Sequence, residues 1–182
     1  GRPTVTALAE LLEHRAAAPR FGLAEDDLSL VHALLAESAM HYGTGDDPEG
    51  ETPISPIHTL RAGLRRITLG ALLPDDAPAL AGVAPLPGLD GEHLRVALAL
   101  VEAIELYLEH RAALRARPRA VSEWVDALVA LLADVFRHRK KASGYGDVLR
   151  ALGALRREAS GFEGALTLDA LVSDLEARLA EL

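Results

Sequence analysis

Residues 92–115 read EHLRVALALVEAIELYLEHRAALR, a run with no proline or glycine. Leucine and alanine, the best apolar helix formers, dominate it, and a strand of this length would want Ile, Thr, Tyr and Phe instead. The spacing predicts one long helix over Glu92–Arg115, ended by Pro118. Its middle, Val96 to Val101, is apolar all round, so the expectation is the central, most buried helix of an all-α fold.

The flanking segments repeat the pattern on a smaller scale. Towards the N-terminus, Val5, Leu8, Leu11 and Leu12 recur at spacing three and four and predict a helix from Thr4 to Arg15. Pro19 and Gly22 interrupt, and a second helix is expected from Ala24 to His41, with Glu25, Asp26 and Asp27 in a first turn that favours acids. Gly43 to Pro53 is polar and turn-rich, and a mobile loop is expected across 43–55. Ser55-Pro56 has the form of an N-cap followed by proline at the first helical position. The helix it opens carries Leu60, Leu64, Ile67 and Ala71 on one face and stops before Pro74.

Pro74 to Gly91 is rich in Pro and Gly and reads as an irregular crossover whose Leu80, Val83, Leu86 and Leu89 dock on the core. Beyond Pro118, Ser122 is expected to cap a helix running to Arg137 with Trp124, Leu128, Leu131, Leu132, Val135 and Phe136. Another should run from Asp147 to Ala159. Thr167 should cap the last, which carries Leu168, Leu171, Leu175 and Leu179 to Leu182. The sum is an irregular bundle of about seven helices over residues 1–182, read as a single domain with a possible small N-terminal lobe at 1–43.

Composition narrows the function. No cysteine is present, which excludes a disulfide scaffold, a Cys–zinc site and a thiol nucleophile, and fits a cytoplasmic protein. No uncharged apolar run is long enough to span a membrane. The chain begins at Gly1 rather than Met and reads as a fragment or a processed piece. With 27 acidic and 19 basic residues the formal charge is −8, so the isolated chain should bind nucleic acid weakly, because that affinity comes largely from neutralising phosphates. Any DNA contact would need a local basic patch.

Two such patches stand out. Arg61, Arg65 and Arg66 lie on the third helix, the first two one turn apart. Arg137, Arg139, Lys140 and Lys141, with His138, close a helix C-terminus, where cations complement the dipole or contact phosphate. Arg111, Arg115, Arg117 and Arg119 form a looser group, read as a solvated helix end.

Catalytic signatures are missing: no GxxxxGK[ST] or GxGxxG phosphate loop, no HExxH, no GxSxG. Neither Glu10/His14 nor any other pair has the Glu-x-x-His spacing of a di-iron bundle. Glu102, Glu105 and Glu109 share a helix face, but a carboxylate metal site needs facing ligands, so they read as a solvated face. The seven histidines are scattered, mostly beside charged neighbours, and read as surface or boundary residues. Trp124, the single tryptophan, sits in the first turn of an apolar-striped helix and reads as a packing anchor rather than a base-stacking platform. The expectation is therefore a chain with no catalytic residue, no metal, no cofactor and no small-molecule substrate.

Two stretches carry a family resemblance. Arg20-Phe21-Gly22-Leu23, followed by Glu25-Asp26-Asp27-Leu28, a helix and Tyr42-Gly43, is similar to a RecC stretch in which an Arg-Phe-Gly signature leads to a helix ending in Trp-Gly. His58-Thr59-Leu60-Arg61-Ala62-Gly63-Leu64-Arg65-Arg66-Ile67-Thr68-Leu69-Gly70 resembles the same family's Thr-Trp-Arg-x-Gly-Leu-x-Arg-Leu-Leu-x-Gly run. Ser122 to Phe136, with an early Trp and a Leu-Leu pair, is a weaker third match. Tyr42 and Leu60 stand where the family usually has tryptophan, and Thr44-Gly45 replaces the usual Asp.

The resemblance is to an interior helical segment of a divergent member of the RecC (exodeoxyribonuclease V γ subunit) family. It implies a helical accessory insertion in a protein built like a superfamily-one helicase without its ATP site, which holds RecB and RecD and splits incoming duplex. The chain would then be a non-catalytic accessory domain in double-strand-break repair, in a complex that is an ATP-dependent exodeoxyribonuclease. Its partners would be RecB-like and RecD-like subunits, with DNA guided by the two basic patches. The rival reading is a helical protein–protein interaction module unrelated to DNA.

Overall fold

The computed structural model describes residues 4–44, 56–136, 144–162 and 164–180. Within them lie seven α-helices: α1 (Val5–Glu13), α2 (Leu28–Glu37), α3 (Leu60–Leu72), α4 (Gly91–Arg115), α5 (Val121–Val135), α6 (Tyr145–Glu158) and α7 (Leu168–Ala180). Short 3-10 turns occupy Ala18–Phe21, Glu25–Asp27 and Pro56–His58. The described residues contain no strand, only isolated bridges such as Thr4 to Tyr42 and Arg119 to Leu166. The fold is all-α, and the chain divides into two compact units, Gly1–Leu108 and Glu109–Leu182.

The first unit is built on one side of α4. Val96, Ala97, Leu100, Ala103 and Ile104 are completely buried, a stripe at spacing three and four. Leu8 and Leu12 of α1, Val31 and Leu34 of α2, and Leu60 and Ile67 of α3 belong to the same core. Full burial of each such side chain contributes about 1.5–3 kcal/mol. The apolar middle of α4 is not buried all round, however: Leu98 is 52% exposed. The alanines blur the sequence pattern, because they satisfy an apolar count on any side while filling little of it.

Several helix ends depart from the pattern. α2 is shorter than expected at both ends. Asp27 Oδ2 accepts the Ala24 N–H at 2.8 Å and tightens the entry into a 3-10 turn. At the exit, Ser38 Oγ donates to the Leu35 carbonyl and Ala39 turns left-handed at φ 56°. α3 begins not at Pro56 but at Leu60, capped by Thr59, whose Oγ1 accepts the Ala62 N–H at 3.3 Å and donates to the Pro56 carbonyl at 3.1 Å. Ser55 lies outside the described residues.

Ser122 is not a cap either. α5 starts at Val121 after Ala120, since Arg119 is already held in a two-way backbone pairing with Leu166. α6 starts at Tyr145, behind the left-handed Gly144. Thr167 does cap α7, accepting the Ala170 N–H at 3.3 Å.

Along the crossover, Leu86 is buried and Leu89 packs against the core. Leu80 does not dock; it is 58% exposed. It closes a two-residue turn with Val83 through two backbone hydrogen bonds of 3.0 Å, with Ala81 and Gly82 both at positive φ. That turn is held by its own backbone and needs no burial of Leu80.

The second unit gathers Val121, Trp124, Val125, Leu152, Leu155 and Leu171 from α5, α6 and α7. On α7 the stripe fades: Leu171 is fully buried, Leu179 is 37% exposed.

Two glycines of α3 set how closely its neighbours approach. A Cβ on Gly63 would stand 2.0 Å from Met40 Cγ, and one on Gly70 would stand 2.0 Å from the Leu86 carbonyl oxygen. The first obstacle is a flexible side chain. The second is backbone that is itself tied down, because the Leu86 N–H donates to the Arg66 carbonyl at 3.0 Å. Gly153 of α6 is different: the nearest atom to its Cβ would be Arg157 Nη1, at an ordinary 3.5 Å. Urea unfolding should therefore show Gly70→Ala destabilising by about 2 kcal/mol, Gly63→Ala by less, and Gly153→Ala stabilising by up to about 1 kcal/mol.

Candidate functional site

Of the basic residues singled out, Arg61, Arg65 and Arg66 fall on α3. Arg65 is exposed, while Arg61 and Arg66 are half-buried. Arg66 Nε donates to the Ala84 carbonyl at 3.3 Å, so this side chain helps fasten the crossover to the helix. Next to it runs the bond from the Leu86 N–H to the Arg66 carbonyl. The guanidinium retains further N–H groups for an outside acceptor, but its direction is set by the crossover. Arg137, Arg139, Lys140 and Lys141 lie outside the described residues.

The looser group at the end of α4 is not simply solvated. Arg117 forms a two-pronged pair with Glu123, at 3.1 and 3.2 Å. Arg119 lies over the Trp124 ring, 4.8 Å from its centroid, and donates to the Ala113 carbonyl at 2.5 Å. Trp124 is completely buried, with its indole N–H donating to the Leu166 carbonyl at 2.9 Å. It is a packing anchor in the core of the second unit. A cleft of about 200 Å³ in the same unit is lined by Leu114, Arg115, Arg117, Pro118, Thr167, Leu168 and Asp169. Its lining mixes both charges with apolar groups.

The carboxylates of α4 are exposed. Glu102 accepts from Arg20 Nη1 at 2.5 Å, and Arg20 in turn lies over Phe21 at 5.4 Å. Among the described residues no three His, Asp or Glu side chains gather as a metal site.

Sequence reasoning missed a second contact to α4. Arg95 donates to Asp27 and, at 3.2 Å, to the Gly22 carbonyl. Gly22 is left-handed at φ 68°, a conformation glycine adopts without strain. Asp27 is only 5% exposed, and besides Arg95 it holds the Ala24 N–H. The Arg-Phe-Gly stretch and the acidic turn are thus pinned to α4 by two guanidinium–carboxylate pairs, while Phe21 and Leu23 enter the core. An Arg-to-Asp separation of 68 residues leaves no local signal to find.

Among the described residues, the groups whose ionisation is shifted belong to such pairs. Arg95 and the Ala24 N–H hold the Asp27 carboxyl below its ordinary value of 3.8. Arg117 lowers Glu123, and Arg178 lowers Glu158. Every one of these acids is stabilised as a carboxylate, the reverse of what a proton donor at neutral pH requires.

The family model described as RecBCD enzyme subunit RecC fourth domain matches residues 1–182. The RecBCD enzyme subunit RecC of Mycolicibacterium smegmatis (strain ATCC 700084 / mc(2)155) is 27% identical over 132 residues, 71% of this chain and 12% of that protein. The RecBCD enzyme subunit RecC of Mycobacterium tuberculosis (strain CDC 1551 / Oshkosh) is 26% identical over 162 residues, 84% of this chain and 15% of that protein. The chain therefore spans less than a sixth of the length of either relative.

The Asp27 pair has a pH signature. A carboxyl depressed in the folded state contributes stability that is present above its unfolded value and is lost as pH falls through the lower folded value. Denaturation measured across pH 5 to 2 should show that loss in the parent chain and a smaller loss in Asp27→Asn. The difference should survive added salt better than that of Glu123→Gln, whose partner pair is exposed on both sides.

Proposed function

The chain belongs to the RecC fourth-domain family, and from that premise we propose that it is a non-catalytic, helical accessory domain of a RecC subunit. In this reading it works within a cytoplasmic RecBCD-type helicase–nuclease that processes double-strand breaks. It packs against the rest of that assembly, with RecB-like and RecD-like subunits as partners, and guides DNA through backbone contacts.

The observation that carries the reading is the family match over the whole chain, together with what its two motif stretches do here. The Arg-Phe-Gly stretch is a clasp on α4, and the glycines of the Thr59–Gly70 stretch admit Met40 and the Leu86 backbone. Both serve architecture, which is what an accessory element contributes. The shifted acids sit in ion pairs, and this supports a role without proton-transfer chemistry.

DNA guidance rests on Arg61 and Arg65, with Arg66 oriented by the crossover; Arg137, Arg139, Lys140 and Lys141 are the second proposed patch. Phosphate contacts of this kind position a strand without reading its sequence. An overall charge of −8 makes them local and dependent on the assembly.

In the assembled complex, Arg61→Gln/Arg65→Gln should weaken binding to a forked duplex and lower the slope of log affinity against log salt by about one per arginine. The isolated chain should bind the same fork more weakly than about 1 µM at physiological salt. A tagged chain should co-purify with RecB-like and RecD-like subunits. An unchanged salt slope would remove the arginines from the DNA path. Failure to capture either subunit would remove the partner assignment.

A further inference from the structure

His41 and His58 are 17 positions apart in the sequence, yet their rings lie 4.9 Å apart between centroids and 43° from parallel. Their backbones are tied together at the same place. The His41 and Tyr42 N–H groups both donate to the His58 carbonyl, at 2.9 and 3.4 Å, and the His41 carbonyl accepts the Val5 N–H at 3.1 Å. The pair is therefore held by the chain, not by a chance meeting of two long side chains.

The protonation pattern of His58 follows from its partner. His58 Nδ1 is 3.1 Å from the Ala39 carbonyl oxygen, which can only accept, so Nδ1 carries the hydrogen. In the neutral ring that leaves Nε2 with its lone pair free. An imidazole whose one nitrogen donates to a backbone carbonyl while the other is bare has the form of a metal-ligating histidine with its outer hydrogen bond already made. The Ala39 carbonyl is itself fixed by the left-handed turn at φ 56° after α2. His41 is exposed, so its ring is accessible to an ion from solvent.

We propose that His41 and His58 form a two-imidazole chelate for a borderline divalent transition ion such as Zn²⁺ or Ni²⁺, water completing the coordination. Imidazole nitrogen suits these ions and not Mg²⁺ or Ca²⁺, which prefer oxygen. Among the described residues no third ligating side chain gathers there, and two imidazoles alone make an exchangeable site rather than a closed structural one. Its effect on the fold would be to cross-link the exit of α2 to the entry of α3.

The test is titration of the full chain with Zn²⁺ and with Ni²⁺, followed by calorimetry and by the imidazole proton resonances. One equivalent should bind, moving the ring signals of His41 and His58 together. His41→Gln and His58→Gln should each lower affinity by about tenfold or more, since even loss of an outer-shell partner costs that much. The control His93→Gln, at an exposed position on α4, should bind as the parent does. Added Zn²⁺ should raise the melting temperature of the parent and not of His41→Gln. Should His58→Gln fail to fold, His41→Gln decides alone. Equal binding in parent and His41→Gln, or ring shifts at only one of the two histidines, would overturn the proposal.

Discussion

The first unit depends on one buried stripe of α4. Val96, Ala97, Leu100, Ala103 and Ile104 are closed to solvent, and α1, α2 and α3 each contribute side chains to the core built on them. Two of the five are alanines, which lets neighbouring elements come close without leaving voids. The two guanidinium–carboxylate pairs then work at the stripe's margin. Arg20 with Glu102 and Arg95 with Asp27 fix where the Arg-Phe-Gly stretch lies, while the apolar burial beneath them supplies most of the free energy. The pairs set position, and the stripe sets stability.

Most of the helices were legible because their apolar spacing is local. Leu8 and Leu12, Leu60 and Ile67, and Trp124, Leu128 and Leu132 announce their faces within a turn or two. The boundaries were less legible. Thr59 competes with Ser55 as a cap, and only the Pro56 carbonyl and the Ala62 N–H that Thr59 reaches decide between them. Ala120 precedes α5 because a partner 47 residues away, Leu166, holds Arg119 extended. Tertiary contacts of that range leave no mark on a sequence window.

The candidate site was legible in outline and not in its commitments. Arg61, Arg65 and Arg66 are visible as a basic cluster, but that Arg66 reaches the crossover is a fact of the fold. Arg119 has the same composition as a solvated helix end, and its place over Trp124 is likewise a fact of the fold. Gly63 and Gly70 were legible only as letters of a family motif. Their physical meaning, room for a methionine and for a carbonyl oxygen, lies in atoms that glycine lacks, and no periodicity reports on an absence.

The setting of Trp124 has an optical consequence. It is the single tryptophan, dry, hydrogen-bonded through its indole and flanked by a guanidinium. Intrinsic indole fluorescence therefore reports on the residues after Leu108 and is silent about those before. Ellipticity at 222 nm sums helices from both units. A disagreement between the two signals during unfolding would be a readout of separate melting, obtained from the native chain with no label attached.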